Sequence, residues 1–348
     1  MSKKESYTFK DYTNKVLAGT AGAIVIGLIA NAILGGIFKA LIPYGSIFGT
    51  LAMVVSTMQF LTPVLVGVLV AMQFNLNPME SVIVGSATFL GSGAYDATDA
   101  GIMLVGIGDL VNVMLISGIA VYAVRALQGK LGSLNLILLP IIVGAGVGTI
   151  GLLTLPYVSL VTASIGNVIN SFTQLQPLLM TLLISIAFSV LIISPISTVA
   201  IGIAIGITGL GAGAAAIGIT ACTAVLVIGS RKVNESGTTL AILLGAMKMM
   251  MPNLVRHPQI VIPVIANAVL SAFGAYILNI QGVPETAGFG IVGLVGPIQA
   301  ANMGTSILLV AIAYFVIPFV GAIVIDLLFT KVLNLYDHEI FKFVTTDN

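Results

Sequence analysis

Apolar residues run along this chain in long, nearly unbroken blocks, with polar residues gathered between them. A helix rising 1.5 Å per residue needs roughly 20 such residues to cross a hydrocarbon core of ~30 Å. Blocks of about that length occupy 16–42, 47–74, 101–124, 135–154, 175–194, 259–280 and 303–329. Shorter or glycine-interrupted blocks occupy 81–94, 196–210 and 212–229. Together they predict about ten transmembrane helices in an all-α integral membrane protein, the short blocks being open to a re-entrant alternative. Segment 157–174 is less apolar, but Leu160, Val161, Ile165, Val168 and Ile169 recur at helical spacing. It reads either as an amphipathic helix at the interface, within 156–174, or as a linker helix packed on the bundle.

Two stretches are neither plain spans nor plain loops. "VNESGTTLAILLGAMKMMMPNLVR" (233–256) and "QGVPETAGFGIVGLVGPIQAAN" (281–302) each hold a short apolar middle bracketed by Gly, Pro and polar residues. Non-helical backbone at membrane depth is tolerated only where protein buries it or water lines it. Both therefore predict re-entrant hairpins, the way transport sites are often built. A faint internal echo links "GLIANAILGGIF" near residue 27 with "PVIANAVLSAFG" near residue 263, a match that so Ala-rich a sequence also produces by chance.

Composition agrees with the pattern. The chain has 348 residues, of which 58% are hydrophobic and 7% charged, with a mean hydropathy of +1.15. About a quarter of a soluble domain is charged, so this chain could not cover a water-facing surface. A net charge of +1 argues against a nucleic-acid partner. The single Cys222, in an apolar run, excludes an internal disulfide framework and reads as a packing residue. The polar, basic start "MSKKESYTFKDYTNK" reads as a tail over 1–15 before a retained first span, not as a cleaved signal. Lys3, Lys4, Lys10 and Lys15, then Arg125 and Lys130, Arg231 and Lys232, and Lys331 and Lys342 all fall on one side if ten crossings are counted. The positive-inside rule makes that side cytoplasmic, with both termini on it. Lys39 is the exception and would snorkel to the outer interface; Asp96 and Asp99 would lie outside.

Glu285 is the only formally charged residue between Arg256 and Asp326. An intramembrane carboxylate costs several kcal/mol unless paired or hydrated, and usually faces a cavity or a partner. Pro284 suits the first turn of a short helix. Three readings stay open for Glu285: a cap without a ligand, an acceptor for the hydrogen bonds of a polar substrate, or a proton or cation site. Thr286 adjoins it. His257 in "NLVRHPQIVIP" is either interfacial or a polar substrate contact that titrates near neutrality. Asn234 and Glu235 form either a plain cytoplasmic loop, with Arg231 or Lys232 beside Glu235, or the inner mouth of a pathway. Asp109 and Asn112, in "GIGDLVNVML", fall mid-way along the fourth predicted span and read as structural hydrogen bonding between helices or as a proton-carrying site. Gln299 and Asn302 are secondary pathway candidates, and His338 in the tail reads as solvated. No Walker A lysine follows "GAGAAA" (211–216), which reads as close helix packing. No HExxH or Cys/His ligand set is present, so no metal and no cofactor is expected.

Three stretches, "GIGDLVNVMLISGIAV", "VNESGTTLAILLGAMKMMMPNLVRHPQI" and "GVPETAGFG", carry a resemblance. The chain is similar to the membrane component, EIIC, of the bacterial phosphotransferase system, and most to the branch that includes the PfoR-type toxin regulators. "GVPETAGFG" resembles the G-x-x-E-[PA]-x-x-[FG] signature of sugar EIIC proteins at Gly282, Glu285 and Phe289, with Thr286 departing from it. The resemblance implies an N-terminal dimerisation half (16–155), a C-terminal transport half (175–330) with hairpins near 233–256 and 281–302, and a cytoplasmic tail (331–348). It also implies a homodimer in the bacterial cytoplasmic membrane that moves a sugar, or a sugar-like polar solute, by alternating access. Phosphorylation would come from a separate EIIB chain, since Cys222 lies within a span. The protein would have no catalytic residue of its own and would act as the translocating subunit of a protein-phosphohistidine–sugar phosphotransferase complex. Glu285, His257, Thr286, Asn234, Glu235, Gln299 and Asn302 would meet the substrate. The alternatives are a proton-coupled or uncoupled permease, with Asp109 and Glu285 carrying protons, and a membrane sensor that regulates gene expression through a partner.

Overall fold

The computed structural model describes residues 7–99 and 101–343. Helices dominate, as the block lengths require. In chain order they are α1 Phe9–Lys39, α2 Ser46–Gln73, α3 Pro78–Leu90, α4 Leu110–Leu127, α5 Asn135–Phe172, α6 Pro177–Leu191, α7 Thr198–Ala204, α8 Gly209–Ser230, α9 Ser236–Leu244, α10 Met247–Arg256, α11 Pro258–Ile277, α12 Pro284–Ala287, α13 Val295–Asn302 and α14 Ile307–Val332. Strands β1 Tyr95–Thr98 and β2 Gly101–Leu104 pair antiparallel, Tyr95 opposite Leu104. Among the described residues seven helices are long and apolar enough to cross a bilayer, or eight if the bent pair α9–α10 forms one span. Large apolar side chains stand in the open on these rods, such as Leu153 (67% exposed) and Ile307 (81%). Apolar surface of that kind has to be covered by lipid or protein. The chain is an all-α, multi-pass membrane protein.

Among the described residues, several of the ten blocks do not form a helix long enough to cross a bilayer, for local reasons. Block 101–124 begins with strand β2, and its helix starts only at Leu110. Block 196–210 folds into the seven-residue α7 and a turn with Gly206 at φ 61°. Such a helix is about 10 Å long, a third of the hydrocarbon core. Helix α6, of 15 residues, is apolar but short, and α3, of 13 residues, is shorter still and carries Glu80. Residues 157–172 are not a separate element: the helix runs on from Gly148 through Pro156 to Phe172. The echo at residues 27 and 263 does not extend to local structure. Asn31 opens a π-turn in α1, whereas Asn267 lies in a regular stretch of α11.

The chain forms two compact units. The first joins residues up to Gly27 with Thr57–Ser159. Its core is Val16 and Ala23 of α1, Val66 and Val70 of α2, Val84 and Ala87 of α3, Val113 and Ile116 of α4, and Val143 and Val147 of α5. Lipid is as apolar as leucine, so close backbone packing and hydrogen bonds, not hydrophobicity alone, hold such helices together. The end of α3 meets α5 through two glycines: a methyl added at Gly91 would stand 2.8 Å from the Gly151 Cα. Asn112 locks that contact. Its Nδ2 donates to the carbonyls of Gly91 (2.6 Å) and Gly151 (3.0 Å), and its Oδ1 accepts from the Thr154 hydroxyl (2.9 Å). Asp109 is not mid-span. It precedes α4, and its Oδ1 accepts the free N–H groups of Val111 and Asn112 (2.9 and 3.0 Å), as a helix N-cap should.

The second unit joins Leu28–Ser56 with Leu160–Phe343. Residues 28–56 thus leave the N-terminal half that the sequence reading gave them. Gly36 packs on the Gly293 carbonyl, and Ala32 lies against Gly245 and Gly293. Helices α6, α11 and α14 surround α8, whose length is almost wholly buried. Asn267 ties this group as Asn112 ties the first, its Nδ2 donating to the carbonyls of Ala221 on α8 (2.9 Å) and Pro318 on α14 (3.0 Å).

The C-terminal segment is docked on this unit. Asp326 accepts from Lys232 Nζ (2.6 Å) and pairs with His338 Nε2 (2.8 Å). The His338 side chain is only 18% exposed, so it is not the solvated residue that the sequence reading expected. Phe341 is buried against Gly229. The Asn253 Nδ2 donates to the carbonyls of Ile340 and Lys342 (both 2.8 Å). The Asn234 Nδ2 donates to the Phe341 carbonyl (2.7 Å), and its Oδ1 accepts from the Phe343 N–H (2.7 Å). Burial, and then the nearby Asp326 carboxylate, push the Tyr336 phenol above its ordinary range, so it stays protonated.

Replacing Asn112 by Leu takes the amide away from the Gly91 and Gly151 carbonyls, while the Thr154 hydroxyl keeps its bond to Gly151, at a cost of about 1–3 kcal/mol. A lower midpoint of thermal unfolding in detergent is the expected result, while Asp109→Asn, which keeps a capping oxygen, shifts it far less. Paired Asn234→Ala and Asn253→Ala substitutions remove the clamps on the C-terminal segment. Hydrogen exchange should then speed up at 340–343 with little change in α8.

Candidate functional site

The second unit contains the two stretches with broken backbone, and α8 is the surface on which one of them lies. The start of α8, "GLGAGAAAIG", presents almost no side-chain bulk. That lets the chain at Ile280–Gly282 run directly over it. A Cβ at Gly213 would collide with the Ile280 carbonyl. Gly209 and Gly282 exchange both backbone hydrogen bonds, at 2.9 and 3.0 Å. The glycine-rich stretch is therefore a close-packing surface, but its partner at Gly213 is an extended segment, not a helix.

From this anchor Pro284 opens α12, a single turn of four residues. The Thr286 hydroxyl closes the turn on Val283, accepting its N–H (3.2 Å) and donating to its carbonyl (3.1 Å). The Thr198 hydroxyl, at the start of α7, donates to the Gly288 carbonyl (2.9 Å). The segment is thus held at Gly282, at Thr286 and at Gly288. Glu285 projects from it and is exposed. No hydrogen bond or ion pair with another described residue engages its carboxylate. A fixed, unpartnered acceptor at a broken helix is equipped to receive hydroxyl or ammonium donors, or a proton.

The other expected contacts are spread out. Gln299, half-buried, and Asn302, exposed, lie on the last turns of α13, which packs on α12. His257 sits half-buried at the corner between α10 and α11, and its backbone N–H donates to the Asn253 carbonyl (2.7 Å). Glu235 is exposed just before α9. Asn234 beside it gives its amide to Ser230 and the C-terminal segment. No hydrogen bond joins His257, Asn234 or Glu235 to the Glu285 segment among the described residues. Asp109 and Asn112 belong to the first unit and serve its helix cap and helix contact. Among the described residues no group of three or more His, Cys, Asp or Glu could hold a metal ion.

One residue escaped the sequence reading. The pair α9–α10 turns through 120° at a break where Gly245 has φ 133°. Lys248 follows that break and is only 8% exposed. Its Nζ donates to the carbonyls of Ser194 (2.5 Å) and Ile196 (2.8 Å) in the turn between α6 and α7. The signal was present: one lysine stands among the apolar residues of "GAMKMMMPN". The rarity argument that singled out Glu285 applies equally to it. The positive-inside rule counts lysines only in loops, so it gives no weight to a lysine within an apolar stretch.

A family model described as "Phosphotransferase system, EIIC" matches residues 14–343, which takes in both broken stretches, Lys248 and Glu285. Comparison with curated proteins and with solved structures gave no match. With the match running over nearly the whole length, the chain belongs to the EIIC family of the phosphotransferase system.

Proposed function

We propose that this EIIC protein translocates a sugar or sugar-like polar solute and that Glu285 is its principal substrate contact. The observation that carries the reading is the exposed, unpartnered carboxylate on a segment held at both ends. A carboxylate accepts several hydroxyl hydrogen bonds at once, and charge-assisted bonds are the strong ones. Thr286 shapes the turn that presents it, while Gln299, Asn302 and His257 are further polar contacts. Asn234 and Glu235 stand at the inner mouth, beside the docked C-terminal segment.

Phosphorylation falls to a separate EIIB chain. Cys222 is fully buried within α8 and is out of reach of a phosphoryl donor. Movement of a C-terminal transport part against a dimerising N-terminal part provides alternating access. The lipid bilayer is the bacterial cytoplasmic membrane, with both termini on the cytoplasmic side. Asp109 is spent on capping α4, which weighs against its use as a proton carrier and so against the proton-coupled alternative.

The test is a binding screen of monosaccharides and disaccharides on the purified protein, wild type beside Glu285→Gln and Asp109→Asn. Loss of a charged acceptor costs about 1.5–3 kcal/mol, so the Gln variant should bind the selected sugar roughly 10–150-fold more weakly. The Asp109 variant should bind it normally. Equal affinity in wild type and Glu285→Gln would remove Glu285 from the site. In vesicles supplied with EIIB and a phosphoryl donor, uptake should need the donor and survive a protonophore; the reverse pattern would sink the phosphotransfer reading.

A further inference from the structure

The turn between α6 and α7 leaves the helical pattern over 192–197, so its carbonyls lose their helix partners. Two of them, Ser194 and Ile196, converge on one point, and the Lys248 Nζ occupies it at 2.5 and 2.8 Å. Unwound carbonyls at a broken membrane helix are the ligands with which transporters hold small cations, and pore carbonyls replace the hydration shell of an ion in the same way. Here the positive charge comes from a side chain on the opposite element, at the α9–α10 bend. On either side of Lys248 in the chain, Met247, Met249, Met250 and Met251 are all buried. Burial among apolar residues disfavours a charge, and the two carbonyls are what offset that cost and hold the ammonium in place.

The turn held by Lys248 leads directly into α7. Ser197 caps that helix by accepting the Ala200 N–H (3.2 Å), and Thr198 reaches over to the Gly288 carbonyl (2.9 Å). The path from the ammonium to the Glu285 segment is therefore Ser194 and Ile196, then Thr198, then Gly288. We infer that Lys248 is a tethered cation: its ammonium fills a carbonyl site for a small monovalent cation and thereby positions the α7 entry turn and, through it, the segment bearing Glu285. Because the cation is covalently attached, the turn keeps its place whatever the ion concentration. Lys248 is a positioning residue and makes no contact with substrate.

The inference predicts that the site becomes ion-dependent once the tether is cut. Full-length Lys248→Ala, purified in detergent, would be unfolded thermally at constant ionic strength in tetramethylammonium, methylammonium, sodium or potassium chloride. In tetramethylammonium, too large for the site, the variant should unfold about 5 °C or more below wild type. At about 100 mM, methylammonium or one alkali ion should restore at least half of that loss, as a ligand of the folded state does. Wild type should be indifferent to the choice of cation. Equal unfolding of the variant in all four salts, or an equal salt response in wild type, would overturn the inference.

If the alanine variant cannot be purified, Lys248→Met keeps the volume and Lys248→Arg keeps the charge. Hydrogen exchange over 194–200 should then be about tenfold faster in the Met variant and close to wild type in the Arg variant. Unchanged exchange in the Met variant would count against the role. None of these measurements uses a sugar, so their outcome is separate from the test of Glu285 as a substrate contact.

Discussion

Inside a bilayer no water is at hand for an N–H or carbonyl that leaves a helix, and this one constraint runs through the structure. Several places where the backbone breaks or two helices press together have a specific polar answer. Asp109 takes the free N–H groups at the start of α4. Asn112 and Asn267 each give both amide hydrogens to carbonyls on two other elements. Gly209 and Gly282 satisfy each other across the start of α8. Lys248 supplies the carbonyls of the α6–α7 turn.

These bonds require close approach, and small residues permit it. Gly91 against Gly151 and Gly213 against the Ile280 carbonyl bring backbones to distances that a methyl would forbid. The same economy builds the site. Once the broken segments are satisfied by glycine, threonine and lysine, Glu285 is left over as an acceptor with nothing to accept from. The proposed substrate contact stands out because its neighbours are already paired.

Lys248 and Glu285 show how the same charge argument gives different answers. Both are lone charges in Gly- and Pro-flanked stretches. In three dimensions one is buried and engaged by two carbonyls, the other exposed and unengaged. The first fits the supporting role inferred for it, the second the substrate contact proposed for it. Asn234 makes a related point. It was singled out by its position beside a basic pair, yet its amide clamps the C-terminal segment, a partner more than 100 residues away along the chain.

Run length and hydropathy alone determined that this is an all-α membrane protein, because the bilayer sets a minimum helix length and forbids charge on its lipid face. The two broken stretches, and Pro284 at the start of a turn, were equally legible, since Gly and Pro act through local backbone geometry. Tertiary structure decided the rest. The 101–124 block became a strand and a later helix because a hydropathy window cannot tell extended from helical apolar residues. Residues 28–56 joined the second unit because of contacts at Gly36 and Ala32 with a loop some 260 residues further on. The partners of Lys248, Asn112 and His338 were likewise invisible in sequence. A hydrogen bond is fixed by where two segments meet in space, and spacing along the chain carries no record of that meeting.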